Sequence, residues 1–181
     1  MKRSVLILTI YFGLTNFFGQ TLADFKDGVI AYNKEDYATA IEEFKLAGEL
    51  GDSEAQFELG LMYYWGTGTP IDYRKAFKWF EKAAENGNRQ AQFNVGYIFE
   101  NGQGTLKDYK QAISWFRRSA EQNFPSAQLS LGTMYIDGHG VDKNLSKAKE
   151  WLLKAYENPE SSSKTIENVE HNWNTFELWD H

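Results

Sequence analysis

Apolar and small residues recur along the middle of the chain at helical spacing, in blocks separated by short polar segments rich in glycine. In the first of these blocks they fall at intervals that place them on one face of a helix: Ala55, Leu59, Gly60 and Tyr63. The next block, which begins after Asp72, has the same property: Ala76, Trp79, Phe80, Ala83 and Ala84. The segment between the blocks contains two glycines and Pro70, which interrupt a helix. Each pair of blocks therefore predicts two antiparallel helices.

This helix pair is repeated with a period of 36 residues. The stretch 55–90 returns at 91–126 with fourteen identical positions, and a third copy begins at residue 127. The stretch 24–54 aligns with them once four residues are removed from the loop, which leaves Asn33, Lys34 and Glu35 as its turn. A fixed period in this range is typical of stacked helical repeats. We predict an all-α solenoid of about four hairpins, with these boundaries: 24–54, 55–90, 91–126 and 127–157.

Polar residues at the same period mark the helix ends. Asp and Asn are preferred N-caps because the side-chain oxygen accepts a hydrogen bond from a free backbone N–H. They precede every second block: Asp36, Asp72, Asp108 and Asn144. Residues that favour a left-handed backbone end the second helices: Gly51, Gly87 and Asn123. Pro125 stands where the next helix is expected to begin, a position that tolerates proline.

Two further sets of periodic residues concern packing. Gly60, Gly96 and Gly132 lie inside the first helices, where each glycine costs up to ~1 kcal/mol relative to alanine. We therefore expect the facing helix to approach closely at these positions. Three tryptophans share one register of the second helices and are expected to fill the gaps between hairpins: Trp79, Trp115 and Trp151.

These motifs resemble the Sel-one-like repeat family, a relative of the tetratricopeptide repeats. The resemblance rests on A-x-x-x-L/V-G-x-x-Y/F-x-x-G-x-G, followed by D-Y and then by A-x-x-W-F, and it covers roughly residues 24–156. The fourth repeat has Asn144 and Leu145 in place of the Asp-Tyr pair, and the first repeat lacks the G-x-G loop. The resemblance implies a right-handed superhelix of antiparallel helix pairs, with the first helices on its concave surface. It also implies a scaffold for protein–protein contacts.

The two ends of the chain differ from the repeats. Residues 1–23 begin with Lys2 and Arg3, continue with an apolar run and end in small and polar residues up to Ala23, the layout of a signal peptide. The alternative is an uncleaved anchor, but the apolar run is shorter than the ~20 residues that span a bilayer. We expect a protein exported to the periplasm or beyond, with no stable membrane insertion after cleavage.

Residues 158–181 contain a linker rich in helix breakers, followed by apolar residues at helical spacing: Ile166, Val169, Trp173 and Phe176. This pattern predicts a C-terminal capping helix with Ser162 or Ser163 as its N-cap, because terminal repeats need a cover. The final residues, from Leu178 onward, are either packed or frayed.

The composition of the chain excludes several classes of function. The chain has 181 residues, of which 42% are hydrophobic and 16% aromatic, so it has enough apolar side chains for a folded core. Its net charge of −6 does not provide the basic surface that nucleic acids require. The absence of cysteine excludes disulfides, thiol catalysis and cysteine-based zinc sites. A protein or peptide partner fits this charge, and no cofactor is predicted.

Two groups of residues suggest a metal site or a catalytic site. Asp137, His139 and Asp142 lie close together in the fourth loop and suggest a metal, although His139 occupies a slot that varies between repeats. Ser161 and Lys164 match a Ser-x-x-Lys pattern, which suggests a cell-wall or β-lactam hydrolase as an alternative function, but its companion motifs are missing. We predict a protein that is not an enzyme. A structural role through end-to-end assembly is a third hypothesis.

A second apolar stripe on the first helices favours binding, because a helix needs only one stripe to dock on its partner. Phe57, Phe93 and Leu129 are apolar in every copy, and we expect neighbouring helices to bury them. The positions that vary between copies are where a repeat array places specificity. We predict a partner-binding groove on the concave surface, formed by Leu61, Tyr64, Trp65, Tyr97 and Glu100.

Overall fold

The computed structural model describes residues 25–178, so the predicted signal peptide lies outside the described residues. Within that range the chain forms nine α-helices and no strand. Their bounds are α1 Phe25–Asn33, α2 Tyr37–Glu49, α3 Ser53–Trp65, α4 Tyr73–Glu85, α5 Arg89–Asn101, α6 Tyr109–Glu121, α7 Pro125–Asp137, α8 Leu145–Glu157 and α9 Ser163–Thr175.

Helices α1 to α8 form four hairpins, each packed against the next. The most extensive contacts join the two helices of one hairpin, and the next most extensive join consecutive hairpins. Helix α9 closes the array by packing against α8 and α7. The all-α solenoid with a C-terminal capping helix is confirmed.

The predicted helix caps are confirmed. A side-chain oxygen of each predicted N-cap accepts a backbone N–H in the first turn of its helix, as in the pair formed by Asp72 and the amide of Lys75 at 3.0 Å. Left-handed backbone ends the second helices at Gly51, Gly87 and Asn123, with φ of 98°, 92° and 59°. Pro125 is the first residue of α7. Ser162 caps α9 through a 3.2 Å hydrogen bond from the amide of Thr165.

Close helix approach at the periodic glycines is also confirmed. A methyl group added to Gly60 would lie 2.6 Å from the ring of Phe80, and one added to Gly96 would lie 2.6 Å from the ring of Phe116. Both rings are almost completely buried, with exposures of 1% and 0%. A methyl group added to Gly132 would likewise lie 2.6 Å from the side chain of Leu152. The small residue therefore lets each hairpin close around one large side chain.

The periodic tryptophans lie between hairpins, as predicted, but at the edge of the core. Trp79 is half-buried, and its ring lies against Gly48 of the preceding hairpin. The ammonium group of Lys82 covers the ring face at 4.2 Å from its centroid. Trp115 and Trp151 are also half-buried and have the same cover, from Arg118 and Lys154 at 4.3 Å. The centre of each hairpin core is filled by Phe or Leu instead.

A ladder of side-chain hydrogen bonds joins neighbouring hairpins. Gln92 is 3% exposed, and its amide donates to the carbonyl of Ala84 in the preceding hairpin at 3.0 Å. Its oxygen accepts a 2.7 Å hydrogen bond from Gln122, which also donates to the carbonyl of Gly87 at 3.1 Å. The same arrangement recurs at two other pairs 36 residues away: Gln56 with Asn86, and Gln128 with Asn158. Asn158, assigned to the linker from sequence, thus lies in the ladder of the last hairpin.

The loop between the two helices of a hairpin contacts the preceding hairpin through its second glycine. Gly104 has φ of 77°, and a Cβ placed on it would lie 2.4 Å from the carbonyl oxygen of Tyr73, at the start of α4. Gly140 meets the carbonyl oxygen of Tyr109 at the same distance. These glycines are therefore required by backbone contact between hairpins as well as by loop conformation.

Candidate functional site

An apolar pocket of about 210 Å³ opens between the first helices α3 and α5. We call it the aromatic pocket, and its lining residues are Leu61, Tyr64, Trp65, Phe80, Phe93, Asn94 and Tyr97. Four of the five predicted groove residues surround it, and Glu100 does not. Phe80 reaches it from α4, and the other six side chains come from the two first helices.

Two rings of the aromatic pocket are accessible to a partner. The side chain of Trp65 is 68% exposed at the end of α3, and that of Tyr97 is 40% exposed on α5. Leu61 and Phe93 are half-buried beside them. Exposed aromatic side chains next to an apolar depression are typical of the residues that contribute most to protein interfaces.

Tyr64 is held in place by its neighbours. Its hydroxyl donates a 2.8 Å hydrogen bond to Oε1 of Gln103 in the next loop. Its ring makes edge contacts with Trp65 and Tyr73, at centroid distances of 4.8 and 5.2 Å. Burial raises the pKa of Tyr64, and the neighbouring Tyr97 adds to this effect, so the hydroxyl stays protonated at neutral pH. Tyr64 therefore positions the exposed ring of Trp65.

Glu100 lies one repeat further along, in a second cavity of about 220 Å³ that we call the polar cavity. Its lining residues are Glu100, Leu129, Ser130, Thr133, Asn168, His171 and Asn172. Glu100 stands 36 residues after Tyr64, and Leu129, Ser130 and Thr133 stand 36 residues after Phe93, Asn94 and Tyr97. The polar cavity is therefore the equivalent of the aromatic pocket in the next repeat, with polar side chains and with α9 as an added wall.

Burial raises the pKa of Glu100, because its carboxyl group is partly removed from water. His139 and Lys107 oppose this effect, and Asp137 reinforces it. The ring of His139 stacks on Tyr109, with 4.3 Å between centroids and 10° between planes. Glu100 neither accepts a hydrogen bond nor forms an ion pair with any residue in the range 25–178.

The apolar positions that we expected to be buried differ from one another. Phe57 is buried, with 8% exposure, and its ring lies 5.8 Å from that of Phe80. Phe93 and Leu129 are only half-buried. Phe93 packs 5.6 Å from the ring of Phe116 and also lines the aromatic pocket, and Leu129 lines the polar cavity, so the predicted burial is only partial for these two residues.

The residues that suggested metal binding or hydrolysis have structural contacts. Within residues 25–178 no group of three or more His, Asp or Glu side chains is arranged to hold a metal ion. The hydroxyl of Ser161 donates to the carbonyl oxygen of Ala155 at the end of α8. Lys164 follows the N-cap residue Ser162 in the first turn of α9. The Ser-x-x-Lys pattern thus coincides with the turn that starts the capping helix.

Several residues of the two cavities were missed from the sequence. Asn94 and Ser130 share one position of the repeat, and their change of residue type between copies was a usable signal. No such signal in the sequence marks the three cavity-lining residues of α9: Asn168, His171 and Asn172. They belong to no repeat, and only the packing of α9 on α7 brings them to the cavity.

Comparisons with known proteins agree with this architecture. The Sel1 repeat matches residues 53–88, 89–124 and 125–159, so its units begin two residues before those predicted here. Among solved structures, a Sel1 repeat protein from Oxalobacter formigenes has a TM-score of 0.74 and 28% identity, over 84% of this chain and 62% of that chain. The protective antigen c5321 of uropathogenic Escherichia coli, which displays an SLR fold, has a TM-score of 0.59 and 32% identity, over 79% of this chain and 35% of that chain.

Cysteine-rich protein B of Helicobacter pylori has a TM-score of 0.57 and 25% identity, over 73% of this chain and 93% of that chain. The chain thus spans about three fifths of the Oxalobacter protein and about a third of the Escherichia coli antigen. Comparison with curated proteins finds no match. No helix within residues 25–178 is long and apolar enough to cross a membrane. With three matched repeats that cover more than half of its length, the chain belongs to the Sel1 repeat family.

Proposed function

We propose that this protein is a non-enzymatic scaffold that binds a segment of another protein in the aromatic pocket, on the concave surface formed by its first helices. Sel1 repeat proteins are generally protein-interaction scaffolds. The observation that carries the proposal is the pocket between α3 and α5, where the exposed rings of Trp65 and Tyr97 flank an apolar depression. Its volume of about 210 Å³ is below the ~300–1,000 Å³ of small-molecule sites and suits one or two side chains.

The signal-peptide pattern at residues 1–23 supports a place for this scaffold in the periplasm or outside the cell. Fractionation of the native cells, with antibodies against the full chain, tests the location separately from binding. Recovery of the protein only from the cytoplasm would contradict export.

A photo-crosslinking amino acid in place of Tyr97 tests the binding surface in the native cell. The matched control carries the same amino acid in place of Leu153, because both positions are 40% exposed but Leu153 lies on the second helix α8. We expect a discrete crosslinked partner from position 97 that is absent from position 153 and is lost when Trp65 is changed to alanine. Equal crosslinking from both positions would exclude the aromatic pocket as the binding surface.

A further inference from the structure

The aromatic pocket lies between two half-buried carboxylates of the same helix surface. Glu100 lines the polar cavity on the C-terminal side. Glu58 stands 36 residues before Asn94, so on α3 it has the position that Asn94 has on α5, facing the preceding repeat. Along the surface of the first helices, the acidic side chain of Glu58 is therefore followed by the apolar aromatic pocket and then by the acidic side chain of Glu100.

Both carboxylates are half-buried, although His139 and Lys107 lie near Glu100 and no basic residue of the described range acts on Glu58 in the same way. Burial raises the pKa of Glu58, as it does that of Glu100, and the nearby Glu54 adds to the effect on Glu58. Among residues 25–178, neither side chain makes a hydrogen bond or an ion pair. A partly buried carboxylate without such a partner gains more from an incoming cation than a fully hydrated one, because water screens the interaction less.

We infer that the segment bound at this surface carries an apolar side chain flanked on both sides by lysine or arginine, with the apolar group in the aromatic pocket and the basic groups at Glu58 and Glu100. This inference rests on the proposed function and adds the chemical class of the partner. Charge complementarity favours a basic segment at this surface, because the chain has a net charge of −6 and both flanking positions are acidic. Helix α9 adds a wall to the Glu100 side.

Three short fluorescein-labelled peptides test the inference by fluorescence anisotropy with the full chain. Each has a central leucine, and the flanking residues are lysine in the first, glutamine in the second and glutamate in the third. We expect the lysine peptide to bind about tenfold more tightly than the glutamine peptide, and the glutamate peptide not to bind. Added salt is expected to reduce the advantage of the lysine peptide.

Single variants separate the roles of the acidic and apolar groups. Glu58→Gln and Glu100→Gln are each expected to remove about half of the free-energy preference for lysine, and the double variant is expected to remove all of it. Glu81→Gln is the matched control, because burial also raises the pKa of Glu81 but this residue lies on the second helix α4. It is expected to bind all three peptides as the wild type does.

The outcomes distinguish this inference from the proposed function. Equal binding of the lysine and glutamine peptides, unchanged in both Glu→Gln variants, would show that the partner needs no basic flanking residues. The aromatic pocket would remain the proposed binding site. Failure of all three peptides, together with no crosslinks from position 97, would overturn the pocket itself. A dimer detected by light scattering that Trp65→Ala abolishes would identify a second copy as the occupant and overturn the inference.

Discussion

The contact between Gly104 and the preceding hairpin can be measured with two substitutions in one loop. Gly102 and Gly104 have nearly the same left-handed backbone, with φ of 72° and 77°. A Cβ at position 102 would lie 3.3 Å from the nearest atoms of Lys107, whereas one at position 104 would lie 2.4 Å from the carbonyl oxygen of Tyr73. The two alanine variants therefore share the conformational penalty and differ in the contact between hairpins.

The expected magnitudes follow from these distances. Alanine in the left-handed region costs about 1–2 kcal/mol at either position. The loss of backbone freedom in the unfolded chain offsets about 0.4–1 kcal/mol and cancels between the two variants. At position 104 the methyl group also has to displace the start of α4, and overpacking of this kind costs about 1–3 kcal/mol. We expect Gly104→Ala to lower the free energy of unfolding by about 1–3 kcal/mol more than Gly102→Ala.

Urea denaturation followed by far-ultraviolet circular dichroism measures this difference. The denaturation midpoint of Gly104→Ala should be the lower of the two, and the slope shows whether the hairpins still unfold together. Equal midpoints for the two variants would refute the argument, because they would show that the contact with Tyr73 adds nothing to the cost of left-handed backbone.

Three further predictions concern the ladder, the half-buried carboxylate of Glu100 and a helix cap. Gln92→Leu removes two hydrogen bonds, one to the carbonyl of Ala84 and one from the amide of Gln122, and at about 0.5–1.5 kcal/mol each it should lower the free energy of unfolding by about 1–3 kcal/mol in urea; wild-type stability would show that the ladder is not stabilising. Burial raises the pKa of Glu100 above its unfolded value, so its ionisation destabilises the fold as pH rises through the folded-state pKa. Glu100→Gln should therefore melt above the wild type at neutral pH, with no difference below about pH 4, and a lower melting temperature at neutral pH would contradict this. Asp108→Ala removes a cap that accepts two backbone amides and should cost about 0.5–2 kcal/mol by urea denaturation, with Asp108→Ser as the control that retains a capping oxygen.

Much of the fold could be predicted because the determining residues act locally. An N-cap such as Asp72 is identified by its place before an apolar run, and its hydrogen bond spans only three residues. Gly96 could be interpreted for a similar reason, since a costly residue that recurs inside a helix implies a close neighbour. The predicted aromatic residues of the pocket lie on adjacent first helices, where the period itself brings them together.

What could not be predicted depends on contacts between distant residues. The periodic Gln92 was visible in the sequence, but nothing local shows that its amide reaches a carbonyl of the preceding hairpin. Glu100 was assigned to the same groove as Tyr97, yet the packing of α9 on α7 gives it a separate cavity. His171 belongs to no repeat, so no periodic argument identifies it.

The ladder between hairpins also determines which parts of the chain are interchangeable. Each junction uses a glutamine and, 30 residues later, an asparagine or glutamine, as in Gln56 with Asn86 and Gln92 with Gln122. A whole unit such as 89–124 therefore offers this pair of side chains to the preceding unit and the carbonyls of Ala120 and Asn123 to the following one. Duplication or removal of one unit would lengthen or shorten the groove by one cavity without a new interface. The order of the aromatic pocket and the polar cavity along the first helices can therefore change by exchange of whole units.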